Sequence, residues 1–290
     1  MSTSIISSNV VQLRVFVDGP GGGNPAAVVL DADGLQTAEM HQFTARFGHE
    51  TSFVQQPSDP GSADLRLRFF MPGSEMNMCG HAALGSAWLL ARQKRLSPGQ
   101  HRIETASGVL RVRVSDKGAV AISQPKGQVE AVDPNLRHEI LDALDIKERH
   151  LLALPLLNAS TSRMKTLIPL TNPGVLAELR PKHADLLRLC TAISSTGFYA
   201  FSCDWEDERT YHARQFPAST LTKEDAATGV AATALFYGLR QYGLIGNRKS
   251  IRIRQGAAMG QPSKIAVTEA TTSDDGVGVW LTGEVEADKP

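Results

Sequence analysis

The sequence predicts an α/β fold of the α+β type, made of two similar lobes that each wrap a sheet around one buried helix. The first observation is the stretch at residues 79–91, where apolar side chains recur at helical spacing and His81 is the only residue that can carry a charge. A helix that is apolar on every face is normally buried. The second observation is that residues 227–239 repeat this pattern, at an offset of 149 residues when Gly80 is aligned with Gly229.

Similar strand patterns flank both apolar stretches. Residues 65–70 and 102–108 in the first half resemble residues 211–216 and 252–256 in the second half. A repeat of this length is typical of a duplicated domain. The predicted division is residues 1–125 for the N-terminal lobe, 126–149 for a linker region that contains a helix, and 150–290 for the C-terminal lobe.

The composition argues against several kinds of partner and indicates the cellular compartment. Thirty basic and thirty acidic residues cancel in the 290-residue chain, and no basic stripe is interleaved with aromatic residues, so nucleic acid is not an expected partner. No uncharged apolar run is long enough for a membrane span, and the first nine residues lack the features of a signal peptide. The three cysteines form neither a disulfide framework nor a zinc pattern. A cytoplasmic protein is therefore expected.

In the first lobe, a helix is predicted at residues 37–47, capped by Thr37 and ended by Gly48. Residues 71–75 are predicted to be a loop that leads to the first buried helix. The predicted strands of this lobe are residues 11–17, 26–30, 65–70, 102–105, 109–114 and 119–123, and residues 49–54 are predicted to be a loop that runs into a further strand.

Beyond the first lobe, Asp133 and Pro134 are typical of a helix start, and the helix that they open is predicted to end near residue 144. Asp225 precedes the second buried helix, which is predicted to run to Tyr242, and an aspartate in this place can cap a helix. The other predicted elements are helices at 172–179 and 184–191 and strands at 151–157, 164–169, 197–203, 209–216, 251–254, 265–267 and 276–283.

Four positions are candidates for ligand contacts on the pattern alone. The helix starts at Gly80 and Gly229 would aim backbone N–H groups into the interior, where either an anionic ligand or the chain itself must satisfy them. Glu50 precedes an apolar strand, and Asn24 leads into another. Either side chain can touch a ligand, although a lone glutamate in a loop is more often a surface residue.

Five short segments follow one another along nearly the whole chain and carry a family resemblance. The segments are Gly23-Asn24-Pro25-Ala26-Ala27-Val28-Val29, Glu50-Thr51-Ser52-Phe53-Val54, Met78-Cys79-Gly80-His81-Ala82, Glu224-Asp225-Ala226-Ala227-Thr228-Gly229 and Gln255-Gly256-Ala257-Ala258-Met259-Gly260-Gln261-Pro262-Ser263. Together they resemble the phenazine-biosynthesis PhzF-like family of isomerases. This family belongs to the diaminopimelate-epimerase-like superfamily.

The resemblance implies the details of the fold. It implies two lobes related by a pseudo-twofold axis, each a curled, mostly antiparallel and barrel-like sheet around a central buried helix. It places the active site in the cleft between the lobes. It also implies a homodimer that acts on a small-molecule carboxylate and needs neither a metal nor an organic cofactor.

The resemblance also implies roles for individual residues. Glu50 matches the proton carrier of the family, and His81 and Asp225 match the residues that bind and polarise the substrate. The helix starts at Gly80 and Gly229 would hold a carboxylate. The expected substrate-binding residues are Asn24, Cys79, Gly80, Thr228, Gly229 and Val230.

The predicted reaction moves a proton and a double bond in a small cyclic carboxylic acid. The sequence departs from the family pattern at Ala226, where proline is usual, at Val230, where serine is usual, and at Gln261, where arginine is frequent. The expected substrate is a precursor like that of the phenazines or a cyclic imino acid of an antibiotic or other specialised pathway, and the apolar side chain of Val230 suits one with an alkyl group or fewer polar substituents.

Two alternatives stay open. One is an epimerase, racemase or dehydratase of a small amino or hydroxy acid that uses Cys79, because related racemases carry one cysteine at each helix start. The second of these positions falls on Thr228, whose hydroxyl is a far poorer acid or base than a thiol. The other alternative is a non-catalytic member of the family that binds a metabolite or a protein.

Overall fold

The structure is a computed structural model that describes residues 9–288, so the signal-peptide prediction lies largely outside the described part. The helices are α1 (Thr37–Phe47), α2 (Gly80–Arg92), α3 (Arg137–Leu144), α4 (Pro173–Glu178), α5 (His183–Ala192) and α6 (Gly229–Gln241). The strands are β1 (Val10–Val15), β2 (Asn24–Val29), β3 (Thr51–Gln55), β4 (Leu65–Met71), β5 (Ser74–Met76), β6 (Gly99–Thr105), β7 (Gly108–Val114), β8 (Val120–Gln124), β9 (Gln128–Ala131), β10 (Leu157–Ser160), β11 (Lys165–Leu170), β12 (Gly197–Cys203), β13 (Thr210–Pro217), β14 (Ser250–Gln255), β15 (Ser263–Glu269), β16 (Val279–Thr282) and β17 (Val285–Ala287).

The chain forms two compact units. Within the described residues, the first unit comprises 9–17, 23–123 and 282–288, and the second comprises 18–22 and 124–281. These bounds differ from the predicted lobes in three respects, the first being that residues 18–22 belong to the second unit. The predicted linker at 126–149 contains β9 and α3 and belongs to the second unit, and the C-terminal residues belong to the first unit.

The sheet of the first unit combines antiparallel and parallel pairs. β1 and β2 are antiparallel, β2 and β3 are parallel, and β3 and β4 are antiparallel. β4 then lies parallel to β6, which continues antiparallel through β7 to β8, while β17 pairs with the other edge of β1. α2 packs against one face of this sheet, so closely that a Cβ on Gly85 would lie 3.0 Å from Val15 Cγ2. α1 covers the opposite face through a cluster that includes Met40, Phe53 and Phe70.

The second unit repeats this strand order. β10 and β11 are antiparallel, β11 and β12 are parallel, β12 and β13 are antiparallel, β13 and β14 are parallel, and β14 and β15 are antiparallel. The register also repeats, because Leu65 lies opposite Ile103 in the first unit and Tyr211 lies opposite Ile253 in the second. α6 packs against β9, β10, β11 and β15. The predicted duplication and the α+β fold of two similar, mostly antiparallel units, each with one buried helix, are confirmed.

The buried helices lie close to their sheets because their facing residues are small. Ten of the thirteen residues of α2 and nine of the thirteen residues of α6 are buried. A Cβ on Gly238 of α6 would lie 2.1 Å from Leu167 Cδ1 of β11, so this glycine permits the contact. The outer face of the same sheet carries a second apolar layer, in which α3, α4 and α5 cover Ile168, Phe198 and Phe216.

Several local predictions were wrong. The strand predicted at 151–157 begins only at Leu157 and runs on to Ser160, while Leu151 forms an isolated bridge with Leu170. The segment between them is not a strand, because Pro155 has no N–H to pair and Leu154 N turns back to the Leu152 carbonyl. Thr37 does not cap α1, since Gln36 is the N-cap residue and the Thr37 hydroxyl accepts a hydrogen bond from Arg68. β5 and β9 form in segments that the sequence analysis assigned to a loop and to the linker.

A buried arginine connects three segments of the second unit. Arg214 on β13 is 8% exposed and makes two hydrogen bonds to the Glu224 carboxylate, at 2.7 and 2.9 Å. Its Nη1 also donates to the carbonyl oxygens of Leu176, Ala177 and Leu179, at 3.1 to 3.2 Å. Arg214 therefore satisfies the carbonyl end of α4 and anchors the loop that leads to α6.

We expect Arg214→Met to lower the free energy of unfolding by about 3 to 5 kcal/mol, because it leaves a carboxylate and several carbonyl groups without their donor. Urea unfolding measures this loss. Arg188→Met is the matched control, since Arg188 pairs with Glu139 at the surface and its loss should cost less than about 1 kcal/mol. Equal effects of the two substitutions would contradict the conclusion that Arg214 satisfies the end of α4 and anchors the loop that leads to α6.

Candidate functional site

The predicted site residues fall into two groups, and the first group surrounds the start of α2. Cys79 is the N-cap residue, and its side chain makes no capping hydrogen bond. Cys79 and His81 are 8% and 7% exposed, and the Cys79 sulfur lies 3.5 Å from His81 Nδ1. The first turn of α2 contains no acidic side chain. The positive end of this helix is therefore not neutralised by a carboxylate of its own first turn.

Glu50 and Asn24 lie on two neighbouring strands of the same unit. Glu50 directly precedes β3 and is half-buried, and its carbonyl oxygen accepts a hydrogen bond from Ala27 N of β2 at 3.1 Å. Asn24 is the first residue of β2 and is 7% exposed. The parallel pairing of β2 with β3 thus fixes the backbone of Glu50.

A buried pair of serines connects this strand to α2. The Ser52 and Ser86 hydroxyl oxygens are 2.5 Å apart, and the Ser86 hydroxyl also donates to the Ala82 carbonyl. Because Ser52 lies two residues after Glu50, the pair couples the strand that carries Glu50 to the first turns of the helix that starts at Gly80. Glu50, Cys79, Gly80 and His81 are therefore held by one rigid framework.

The second group surrounds the start of α6. Thr228 is the N-cap residue, and its hydroxyl donates to the Asp225 carboxylate in a short hydrogen bond. Asp225 is therefore not the helix cap, contrary to that prediction. Its backbone N–H instead pairs with the Gln215 carbonyl of β13. Gly229 is buried and Val230 is half-buried.

Two side chains that the sequence analysis did not single out hold this group. The Gln255 amide donates to the Asp225 carbonyl at 2.7 Å and to the Thr228 hydroxyl at 3.1 Å. The Tyr199 hydroxyl in turn donates to Gln255 Oε1 at 2.9 Å. Burial first, and then the negative charge of Asp225, raise the pKa of Tyr199, so this residue is a neutral donor. The signal that could have identified Gln255 is its inward place in the alternation of Ile251, Ile253 and Gln255.

The two helix starts thus differ in their electrostatics. The start of α2 has no acidic side chain in its first turn, whereas Asp225 stands three residues before the N-cap of α6 and accepts from it. The start of α2 therefore suits an anionic group of a ligand, and the Asp225 carboxylate near the start of α6 suits a hydrogen-bond donor of a ligand.

The described residues give no indication of a metal centre or of a membrane span. Among residues 9–288, no group of three or more histidine, cysteine, aspartate or glutamate side chains is placed to hold a metal ion. In the same part of the chain, every helix is too short or too polar to cross a bilayer.

The fold and these motifs are those of a known protein family. The model of the PhzC-PhzF family, described as phenazine biosynthesis-like protein, matches residues 13–285. The chain therefore belongs to the PhzC-PhzF family, and the predicted family membership is confirmed.

Related proteins and structures agree with this membership. The chain is 30% identical over 284 residues to the uncharacterized isomerase YfhB of Bacillus subtilis, covering 95% of each chain. It is 28% identical over 280 residues to the trans-2,3-dihydro-3-hydroxyanthranilate isomerase of Pseudomonas chlororaphis, covering 94% of each. The Bacillus anthracis phenazine biosynthesis protein of the PhzF family superposes with a TM-score of 0.85 at 26% identity, over 97% of this chain and 96% of that one. The prediction that the protein is an isomerase is confirmed by these relatives.

Proposed function

We propose that the protein is a cofactor-independent isomerase that moves a proton, and with it a double bond, within a small cyclic carboxylic acid. Glu50 carries the proton. The observation that carries the proposal is the serine pair of Ser52 and Ser86, at 2.5 Å, which couples the strand after Glu50 to the helix start at Gly80. A base and an anion-binding helix end on one framework favour proton removal from a bound carboxylic acid.

The reaction balances without a further reactant. The Glu50 carboxylate removes a proton from a saturated ring carbon next to the double bond. The electron pair of that C–H bond forms a new double bond to the neighbouring carbon, and the original π pair moves to the far carbon of the old double bond. The protonated Glu50 then returns the proton to a different ring carbon, so the double bond has moved and the glutamate is restored. The helix start at Gly80 stabilises the substrate carboxylate, and His81 donates a hydrogen bond to the charge that develops.

In this proposal, further residues contact the parts of the substrate that do not react, and they therefore limit which substrates fit. Asp225, held by Thr228 and Gln255, accepts a hydrogen bond from an amino, imino or hydroxyl group of the substrate. Val230 adds an apolar side chain at the start of α6, and Asn24 contributes an amide at the start of β2. This set suits an unsaturated cyclic amino or imino acid of a specialised pathway. We also propose a cytoplasmic homodimer as the working form.

The substrate class can be tested with a panel of small unsaturated cyclic acids followed by proton NMR. The relative from Pseudomonas chlororaphis is named for trans-2,3-dihydro-3-hydroxyanthranilate, so this compound leads the panel, together with pyrroline carboxylates and their saturated analogues. Conversion of an unsaturated acid to its positional isomer, with no change of the saturated analogue, is the expected result. Conversion of saturated amino acids to their mirror images would contradict the proposal.

A second candidate is an epimerase or racemase of a small amino or hydroxy acid, favoured by the thiol–imidazole contact of 3.5 Å between Cys79 and His81. An adjacent imidazole can accept the thiol proton and make a reactive thiolate. The candidate lacks a second thiol, because Thr228 occupies the matching position at the start of α6.

Replacement of this thiol separates the two candidates. If Glu50 carries the proton, Cys79→Ser should keep turnover within about tenfold of wild type, since serine preserves the size of the side chain and no proton passes through it. Steady-state kinetics on the substrate that the panel identifies provides the measurement. Cys203→Ser is the control for a buried cysteine outside the site. A loss of more than about 10³-fold in Cys79→Ser alone would favour the epimerase.

A further inference from the structure

The interior of the second unit contains a lysine that the proposed chemistry does not use. Lys165 is the first residue of β11 and is 4% exposed. Its Nζ donates to the Thr196 carbonyl at 3.3 Å, and within residues 9–288 no carboxylate lies within ion-pair distance of it. An ammonium group has three N–H donors, and a buried one with a single neutral partner is costly.

The sheet places Lys165 next to the segment that holds Asp225. Thr166 pairs with Phe198 in the parallel register of β11 and β12, so Lys165 is adjacent to Gly197. A Cβ on Gly197 would lie 2.3 Å from Gln215 Nε2, which shows that the Gln215 amide occupies the space over this glycine.

The Gln215 side chain is itself unusual. It is 1% exposed, and neither amide atom has a hydrogen-bond partner among the described residues. Its backbone carbonyl accepts the N–H of Asp225 at 3.1 Å. Lys165, Gln215 and Asp225 thus form a polar row along the sheet beneath the start of α6, which we call the Lys165 row.

The charges of Lys165 and Asp225 interact along this row. Burial lowers the pKa of Lys165 to about 8, and the negative charge of Asp225 acts in the opposite direction. Two other groups also act on it, since the charge of Arg163 lowers the Lys165 pKa and the Cys190 thiol raises it. Lys165 is therefore close enough to Asp225 for each to sense the charge of the other.

We propose that Lys165 is a positioning residue, whose buried ammonium stabilises the negative charge of the Asp225 carboxylate and keeps it directed at Thr228. The inference rests on the proposed function, in which Asp225 accepts a hydrogen bond from the substrate. It extends that function by naming the residue that stabilises the charge of Asp225, namely Lys165, which is buried and does not itself contact the substrate in this proposal. It also accounts for a buried cation in a place where an apolar side chain would stabilise the fold better.

The effect of Lys165 on the charge of Asp225 can be measured without any substrate. Carboxyl carbon NMR titration of Asp225, in wild type and in Lys165→Met, is expected to show the Asp225 pKa rising by about one unit or more in the variant, because the neighbouring cation is lost. Lys264→Met is the control, since Lys264 pairs with Asp18 near the surface. An Asp225 titration unchanged in Lys165→Met would overturn the proposal, whether or not the enzyme proves to be an isomerase.

Stability and activity should respond to the same substitution in opposite directions. Because burial lowers the Lys165 pKa below its value in the unfolded chain, the charged lysine destabilises the fold increasingly as pH falls from about 10.5 toward 8. At pH 7, the urea concentration at the unfolding midpoint of Lys165→Met is therefore expected to equal or exceed that of wild type. The kcat/KM of the variant at pH 7 should fall by about tenfold, because Asp225 stays ionised at this pH but loses the cation that directs it at Thr228.

The pH profile completes the test. In wild type, kcat/KM should decline above about pH 8 as Lys165 loses its proton, whereas Lys165→Met should lack this decline. An unchanged profile with unchanged kcat/KM in Lys165→Met would overturn the positioning role. A purely structural lysine would move the unfolding midpoint and leave the shape of the profile as it is.

Discussion

Glu50→Gln is expected to lower kcat by about 10³-fold or more while leaving the fold intact. Glutamine has the shape of glutamate and can keep its hydrogen bonds, but its amide cannot accept and return a proton at neutral pH. The backbone of residue 50 is fixed by the hydrogen bond from Ala27 N to its carbonyl, so the substitution should not disturb the strand. KM should change little, because binding of the substrate carboxylate depends on the helix start at Gly80.

Two control variants show whether this loss is specific. Glu50→Asp keeps the carboxylate but withdraws it by one methylene, so partial activity, above that of Glu50→Gln, is expected. Glu130→Gln removes a negative charge from an exposed position on β9 and should retain wild-type kcat. Full activity in Glu50→Gln with an unchanged fold would remove Glu50 from the mechanism.

Gly256→Ala should destabilise the second unit and abolish turnover together. Gly256 has φ of +81°, and a Cβ there would lie 2.2 Å from the Gln261 carbonyl oxygen and 2.6 Å from that of Ala226. Both contacts are with backbone atoms, so relief requires movement of the loop that carries Asp225. The left-handed backbone and the overlap together should cost about 2 to 5 kcal/mol in the free energy of unfolding.

Gly260 offers a control in the same loop. Its φ is +70°, but a Cβ on Gly260 would meet nothing within 4 Å. Gly260→Ala should therefore cost only the conformational strain, about 1 to 2 kcal/mol, and should keep the activity. Urea unfolding and kcat of the two variants provide the comparison. Similar stability and activity in both would show that the loop does not depend on the close approach at Gly256.

The elements that the sequence predicts best are those whose pattern is local. α1 spans the predicted residues 37–47 because its apolar residues recur at helical spacing and Gly48 adopts the left-handed conformation that ends it. Both buried helices begin within two residues of the start of the charge-free stretches, at Gly80 and Gly229. The duplication could also be predicted, because each half carries the same succession of strand, loop and buried helix.

The contacts that depend on distant residues could not be predicted in this way. Arg214 reaches carbonyl groups more than thirty residues away, and nothing in its neighbouring sequence distinguishes it from a surface arginine. Lys165 is buried because β11 lies inside the sheet with every residue covered. Asp225 resembles a helix cap in sequence, yet a tertiary bridge to Gln215 gives it another role. In each case the deciding partner comes from another strand or loop.

The most direct test of the central claim is to let the wild-type enzyme act on the substrate in deuterated water and to locate the deuterium in the product by NMR. If Glu50 carries a proton between two ring carbons, the product should have a moved double bond, and any deuterium should be at the carbon that gains a proton, in proportion to the exchange of the protonated Glu50 with solvent. Glu50→Gln should form no such product. Deuterium at the original stereocentre, with the double bond in place, would contradict the isomerase and favour an epimerase that uses Cys79.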